Sequence, residues 1–363
     1  NDFLIGNSGG ILMNIDFIGI NIERLSKAAD TFDEYGTYCD YDPSTPAYES
    51  FWQRETSRRK KGVFIKAKLY YKDIPKFFDA NTTDEERESL LQPLRITGAH
   101  YTYLNYGRIE RTPNDKERAR LKREGAEHVE TVMGFPRYWD GDYWNFKIDE
   151  FIANNKFHLT KAKARRKGFS YKRGSQAANT INLFPNVTVT LAADQLAYLT
   201  DKGATTFMAK KCLDHFEEHT FWKRGYISEA IDDILMGYRV STKGLKNFGW
   251  LSNLYSVAIG KNESAAVGKK AIEIDFEEAG KCPNLQKALD VTLSNTESGA
   301  ISVGTIRVYG TGGTKGANWA AFSKAFYNPK MNKMLCMENV WDINKRHEVC
   351  GFFFPQVWDC EPY

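Results

Sequence analysis

Residues 161–173, with the sequence KAKARRKGFSYKR, place seven lysines and arginines around a Gly-Phe-Ser turn. Such a run can bind nucleic acid, hold a nucleotide phosphate in a loop, or form a solvated helix face. An ordinary phosphate loop follows the pattern G-x-x-x-x-G-K-[ST], in which backbone N–H groups and the lysine contact phosphates and the hydroxyl binds magnesium. With Gly168 as the second glycine of that pattern, Ser170 takes the hydroxyl position.

The lysine position of the pattern holds Phe169, and Lys163 stands where the first glycine belongs, so the strict pattern fails. The chemistry needs a cation near the β- and γ-phosphates, and a lysine from the other side of the loop can supply it. We expect Lys163 to do so. Arg165, Arg166 and Lys167 follow one another before the glycine, and the sequence leaves open which of them faces the phosphates.

The second motif, AIEIDFEEAG at 271–280, predicts a strand that ends in acids. A phosphate-loop ATPase needs one carboxylate in the magnesium shell and often a second that orients or deprotonates the attacking water. Glu277 and Glu278 form such a pair, and Asp275 competes for the magnesium role. The alternative interpretation is an acidic pair at the start of a helix, where acids complement the helix dipole.

The third motif, RVYGTGGTKG at 307–316, predicts a strand that ends in glycines, and no phosphate-loop pattern fits it. One interpretation is a flexible turn after a strand. The other is a third strand end at the same site, with Thr311 placed to sense the γ-phosphate.

Strand and helix patterns alternate around these motifs. KFHLTKAKA predicts a strand into the glycine turn, SYKRGSQAANTI a helix out of it, NVTVTLAA the next strand and PNLQKALDVTLSN a later helix. The alternation predicts a largely parallel α/β sheet flanked by helices, whose ligands bind at the carboxyl ends of the strands.

The chain upstream has a different character. GAHYTYLNYGRI at 98–109 alternates as a strand does, and NDKERARLKREGAEHVE at 114–130 predicts an exposed helix or arm. We place a boundary there and expect an accessory region at 1–130, a core at 131–325 and a small C-terminal lid at 326–363.

Composition narrows the function classes. The net charge of +4 argues only mildly for an anionic partner, so local clusters must carry that case. The six cysteines form no C-x-x-C pair, which favours buried thiols over a zinc site. The apolar N-terminal stretch is broken by Asn, Asp and Gly, so we expect no signal peptide and no membrane partner.

In this order and with these separations, KARRKGFSYK, IDFEEAG and VYGTGG resemble the ATPase domain of the large terminase subunit of tailed bacteriophages. The resemblance covers roughly residues 95–355 and is specific only as an ordered set, since each motif alone is weak. It implies a P-loop NTPase of the ASCE type that uses ATP and Mg²⁺. That family has a deviant phosphate loop, in some members with the lysine displaced to the start.

Residue by residue, the resemblance assigns three groups of roles. The phosphate contacts are Lys163 and Arg166, with Arg165, Lys167, Gly168, Phe169 and Ser170 in the same loop, and Ser170 also binds magnesium. Glu277 is the Walker B acid and a second magnesium ligand, and Glu278 is the catalytic carboxylate. Thr311, with Gly310 and Gly312, lies in the motif that couples hydrolysis to DNA movement.

The resemblance also implies a genome-packaging motor. Its partners are double-stranded DNA, the portal protein of a procapsid and the small terminase subunit, and it acts as a homo-oligomeric ring in the host cytoplasm, transiently docked on the procapsid. The family carries a nuclease domain after the ATPase. We expect no nuclease activity here, since the stretch after the third motif is too short for such a domain.

Two other functions stay open. One is a helicase or another nucleic-acid-dependent translocase, which unwinding of a forked duplex would favour. The other is a non-catalytic nucleic-acid or capsid-binding module, in which the basic loop only contacts phosphate backbone and ATP is not turned over.

Overall fold

A computed structural model of the chain describes residues 44–70, 92–136, 138–164, 167–219, 224–241, 244–267, 270–298, 304–311 and 317–354. It also describes short segments at 4–5, 11–12, 19–21, 32–33, 36–37, 42 and 301–302. The α-helices in these residues are α1 (Pro46–Lys61), α2 (Gly98–Tyr106), α3 (Asp115–Arg123), α4 (Asp140–Asn155), α5 (Phe169–Leu183), α6 (Ala197–Thr200), α7 (Thr205–His219), α8 (Leu285–Asn295) and α9 (Ala317–Tyr327).

An eight-stranded sheet forms the centre of the fold. Its strands are β1 (Leu159–Lys163), β2 (Thr188–Ala193), β3 (Tyr226–Ala230), β4 (Asp233–Met236), β5 (Asn253–Ala258), β6 (Glu273–Phe276), β7 (Thr305–Thr311) and β8 (Phe352–Phe354). Their order across the sheet is β3-β4-β5-β2-β6-β7-β1-β8. The strands from β5 to β8 in this order run parallel, and β3 and β4 add an antiparallel edge.

The strand order confirms the expected fold class. β7 lies between β1, which leads into the glycine turn, and β6, which leads into the acidic pair. The α/β fold, with a largely parallel sheet flanked by helices, is therefore the one the sequence predicts.

Shorter strands pair outside this sheet. The antiparallel pairs are Leu4–Ile5 with Ile11–Leu12, Phe32–Asp33 with Gly36–Thr37, Ile109–Arg111 with Val132–Gly134, Tyr238–Ser241 with Leu245–Phe248, Glu297–Ser298 with Ile301–Ser302, and Met337–Glu338 with Val349–Cys350; Val63–Tyr70 pairs with both Gly19–Asn21 and Gln92–Ile96. Four 3₁₀ turns in the described residues are Glu263–Val267, Ala279–Lys281, Pro329–Asn332 and Ile343–Lys345.

Helices cover both faces of the central sheet. One hydrophobic cluster joins residues of β2 and β5 to α2, α5 and α7, and another joins β6 and β7 to α8 and α9. Every residue of β6 and β7 is buried. A parallel strand with two covered faces is usually a continuous apolar run, but β6 and β7 alternate, because Glu273, Asp275 and Arg307 are buried as ion pairs.

One predicted element is wrong. GAHYTYLNYGRI was expected to alternate as a strand, but residues 98–106 form the helix α2. Thr97 caps it by accepting a hydrogen bond from the backbone N–H of His100, and the helix is buried on nearly every side. Because tyrosines on opposite faces are equally buried, the sequence carries no helical polar face and mimics a strand.

The exposed helix is confirmed, since α3 has no buried residue. The accessory region packs on the core through Arg59 of α1, whose guanidinium donates to the side-chain oxygens of Asn179 at 3.0 Å and Asn182 at 3.2 Å. The expected lid contributes β8, which pairs with β1. The two domain boundaries, after residues 130 and 325, stay a prediction. In the part of the chain that the structure describes, no helix is long and apolar enough to span a bilayer.

Candidate active site

The three sequence motifs meet at one edge of the central sheet. β1 ends at Lys163, which is the register partner of Thr311 at the end of β7. β6 pairs with β7 up to Phe276, and Glu277 and Glu278 follow at once. Parallel strands end on the same side, so the geometry brings the displaced lysine, the acidic pair and the threonine together.

The end of the turn from β1 to α5, at Gly168, is suited to binding an anion. Gly168 adopts a left-handed conformation with φ 62° and ψ 22°, which costs little without a Cβ, and α5 begins at the next residue. The free N–H groups and the dipole of the first helical turn favour an anion there. Lys172 supports the turn, because its Nζ donates to the Lys167 carbonyl at 2.7 Å and pairs with Asp142 at 2.5 Å. Arg165 and Arg166 lie outside the described residues.

Ser170 and Glu277 face each other across the site. The Ser170 hydroxyl donates to Oε1 of Glu277 at 2.7 Å, and the Thr205 hydroxyl donates to Oε2. Glu277 is 2% exposed. Burial raises the pKa of its carboxyl to about 7, although the two hydroxyl hydrogen bonds oppose the rise. A hydroxyl beside a buried carboxylate at the start of the loop helix is the ligand pair that the sequence predicts for magnesium.

Glu278 is held differently from its neighbour. Its Oε1 lies 3.3 Å from the Nζ of Lys163, and Oε2 lies 3.5 Å from the Nζ of Lys281. Burial opposes ionisation, but the two ammonium groups outweigh it and hold the pKa of Glu278 below its ordinary value. Its backbone is left-handed, with φ 50° and ψ 37°. Such a conformation is costly for a residue with a side chain and is frequent at functional sites.

The glycines of the second and third motifs let two backbones touch. A Cβ on Gly310 would lie 2.8 Å from the backbone nitrogen of Gly280, and a Cβ on Gly280 would lie 2.6 Å from the carbonyl oxygen of Thr311. Only glycine permits this approach, which fixes the end of β7 against the turn that carries Glu278. Gly312 lies outside the described residues.

Phe169 occupies the lysine position of the ordinary pattern, and its ring is buried in the core. It packs edge-to-face on Phe354 at 5.1 Å between ring centroids, and it also contacts Tyr309. The Nζ of Lys163 lies 5.6 Å from the centroid of the ring. The side chain of Phe169 therefore packs in the core under the loop. Only the backbone of this residue is placed to contact a phosphate.

Much of the basic run is buried in ion pairs that sequence reasoning missed. Arg173 pairs with Asp275 and Glu273, and Lys161 pairs with Asp149 at 2.7 Å. Arg307 of β7 joins the same network by contacts to Asp149, Glu273 and Asp275. The carboxylate of Asp275 is therefore an ion-pair partner of both guanidinium groups, those of Arg173 and Arg307. The acids at alternate positions of IEID, beside basic residues in the next element, are the signal that could have revealed this network.

Thr205 was missed as well. It begins α7, it is fully buried, and its hydroxyl holds the second oxygen of Glu277. A pair of threonines at the start of a helix after a buried strand is a weak signal, since helix starts often carry threonine as a cap.

The residues present fit a magnesium nucleotide. In enzymes that bind a magnesium nucleotide, Mg²⁺ takes one or two protein oxygens and completes its shell with phosphate and water oxygens. Ser170 and Glu277 are protein ligands of that kind. The described residues contain no group of three His, Cys, Asp or Glu side chains that could hold a metal by themselves.

No protein-family model matches this sequence, and no curated protein matches it. Solved structures are similar at low identity. The large terminase ATPase domain of a Thermus phage is 14% identical with a TM-score of 0.35, over 60% of this chain and 75% of that one. The large terminase of a thermophilic bacteriophage is 10% identical with a TM-score of 0.36, over 55% and 45%. The Sulfolobus solfataricus SWI2/SNF2 ATPase core in complex with double-stranded DNA is 11% identical with a TM-score of 0.31, over 52% and 35%.

Proposed function

We propose that this chain is an ATP hydrolase. The observation that supports the proposal best is the meeting of the Ser170–Glu277 hydrogen bond and the Lys163–Glu278 ion pair at the carboxyl ends of β1 and β6. One pair offers a hydroxyl and a carboxylate as ligands for the magnesium ion of a nucleotide. The other offers a cation for phosphate charge and a base for the attacking water.

Each residue has a distinct role in this proposal. The backbone N–H groups at Gly168 and at the start of α5 bind phosphate oxygens, and the Lys163 ammonium neutralises their charge. Ser170 and Glu277 hold magnesium, which when bound neutralises the charge on the β- and γ-phosphates. Thr205 keeps the Glu277 carboxylate in place. Glu278 orients the attacking water and accepts its proton, for which its low pKa keeps it ionised.

We further propose that hydrolysis moves double-stranded DNA in a viral genome-packaging motor. The support is the ordered set of three motifs on a fold of the expected class. In that role the chain works as a ring of copies with the portal protein of a procapsid and the small terminase subunit, in the host cytoplasm. Thr311 lies next to Lys163 in the sheet, where it can transmit the state of the phosphates to β7.

The test of hydrolysis is phosphate release by wild type and by Glu278→Gln. The amide keeps the shape of the side chain but accepts no proton, so kcat should fall roughly a hundredfold or more while ATP binding persists. The exposed Glu130→Gln is the matched control and should match wild type. Equal turnover of Glu278→Gln and wild type would show that the catalytic assignment is wrong.

A further inference from the structure

An exposed β-hairpin lies at the edge of the sheet opposite the candidate active site. It consists of Tyr238–Ser241 and Leu245–Phe248, which follow β4. β4 is antiparallel to β5, and Leu235 near its end pairs with Asn253 at the start of β5. The hairpin therefore leaves the central sheet at the amino ends of the parallel strands, whereas the phosphate loop lies at the carboxyl ends.

Both strands of the hairpin are exposed almost throughout. Tyr238 is 57% exposed, Leu245 74% and Phe248 41%, and the two rings stack with centroids 6.1 Å apart. Arg239 and Lys246 are exposed too. A hairpin that buries so little does not stabilise the core of this chain, and clustered exposed aromatic side chains mark a binding surface.

The positive charge of the hairpin favours a negatively charged partner. Residues 237–250 carry Arg239, Lys243 and Lys246 and no acid. In the pairing register Arg239 lies opposite Asn247 and Lys246 opposite Val240, so successive pairs place the two cations on opposite faces of the ribbon. A hairpin that enters the groove of a duplex meets a phosphate backbone on each face, and the major groove is wide enough for a two-stranded ribbon.

The base of the hairpin is fixed to the helix of the phosphate loop. The indole N–H of Trp250 donates to the Ile181 carbonyl in the last turn of α5 at 2.7 Å, and Arg224 stacks on the indole ring at 3.6 Å. Gly237 allows the close turn there, since a Cβ on it would lie 2.5 Å from the Phe248 carbonyl oxygen. The fifteen residues of α5 therefore connect the hairpin to the phosphate loop over about 22 Å.

We propose that this hairpin is a contact site for duplex DNA, held by Arg239 and Lys246 on the phosphate backbones and connected to the nucleotide site through Trp250 and α5. The inference rests on the proposed function in taking DNA as the partner. It adds the surface that binds it and a physical connection between that surface and the phosphate loop.

The experiment measures binding of a short random-sequence duplex by the full chain at several salt concentrations, without nucleotide. The variant is Arg239→Ala with Lys246→Ala, and the control is Lys287→Ala with Lys330→Ala, which removes two exposed cations elsewhere. We expect the hairpin variant to bind roughly tenfold more weakly and to reduce the slope of log K against log salt by about 2, because two phosphate contacts are lost. The control should bind as wild type does.

Three results would overturn the proposal: unchanged affinity and slope in the hairpin variant, an equal loss in the control, or a loss only for a single strand of the same sequence. A change in oligomeric state without a change in DNA binding would also overturn it and assign the hairpin to contacts between copies. ATP turnover is measured on the same samples. If wild type binds duplex but turns over no ATP, the proposed hydrolysis fails while the DNA site stands.

Discussion

Lys163 and Glu278 form an ion pair of 3.3 Å that joins the end of β1 to the turn after β6. The side chain of Lys163 is 8% exposed and that of Glu278 is 23% exposed. The cation expected at the phosphates and the carboxylate expected to act as base therefore touch each other. A nucleotide phosphate that binds Lys163 must compete with Glu278 for the same ammonium group.

Two replacements of Lys163 should distinguish the effect of its charge from the effect of its shape. Lys163→Met removes the cation and should weaken ATP binding roughly tenfold or more. Lys163→Arg keeps the charge but should still lower turnover, because a planar guanidinium does not replace a compact ammonium in a tight loop. Fluorescent-nucleotide titration and phosphate release measure the two effects. Full activity of Lys163→Arg would favour a phosphate patch without a defined loop.

The sequence predicts those residues of the site whose position depends on patterns in the neighbouring sequence. Lys163, Glu277 and Glu278 stand at the ends of predicted strands and Ser170 at the start of the helix after the first of them, and parallel strands bring such ends together. The pairing of Ser170 with Glu277 follows from that rule. Thr205 follows from no local pattern, since its role depends on the approach of the first residue of α7 to Glu277, far away in sequence.

The burial of the basic run at 161–173 could not be predicted from the neighbouring sequence. Lys161, Lys172 and Arg173 read as surface charge, yet each is buried against an acid on α4 or β6. Buried charges occur only when they are paired, and the partners here lie far away in sequence. The prediction of a strand at α2 was wrong because this helix is buried on nearly every side. Its sequence therefore has no polar face that would reveal a helix.

A change that restores the ordinary phosphate-loop pattern should damage this protein. Phe169→Lys places an ammonium among Phe354, Tyr309 and their neighbours, so it loses buried apolar surface and buries a charge. We expect a loss of roughly 3 kcal/mol or more in the free energy of unfolding and no gain in ATP affinity. Phe169→Leu, which stays apolar, is the control and should retain more stability. Tighter nucleotide binding by a stable Phe169→Lys protein would contradict the assignment of Lys163.

The close approach of Gly310 and Gly280 gives a third test. Gly310→Ala places a Cβ 2.8 Å from a backbone nitrogen that no rotamer change can move away. The end of β7 must shift from the turn that carries Glu278, at a cost of about 1–3 kcal/mol in the free energy of unfolding. We expect kcat to fall more than ATP affinity, since Ser170 and Lys163 are on other elements. A variant with wild-type stability and turnover would show that this contact is dispensable.

The buried imidazole of His100 should make stability depend on pH. His100 is fully buried between the rings of Tyr138 and Phe146, and neither ring nitrogen has a hydrogen-bond partner among the described residues. Burial, with a smaller effect of Lys172, lowers the pKa of His100 to about 3.

Because the folded pKa lies below the unfolded value near 6.5, the stability from a neutral His100 is present above pH 6.5 and is lost as the pH falls toward the folded pKa. Between pH 7 and pH 5 the free energy of unfolding should drop by roughly 2 kcal/mol through this residue alone. His100→Phe keeps an aromatic ring in the stack and should remove that part of the drop, while His128→Gln, at an exposed position, should keep it. Urea unfolding of the three proteins at both pH values measures the difference, and an equal drop in all three would show that His100 titrates as an ordinary histidine.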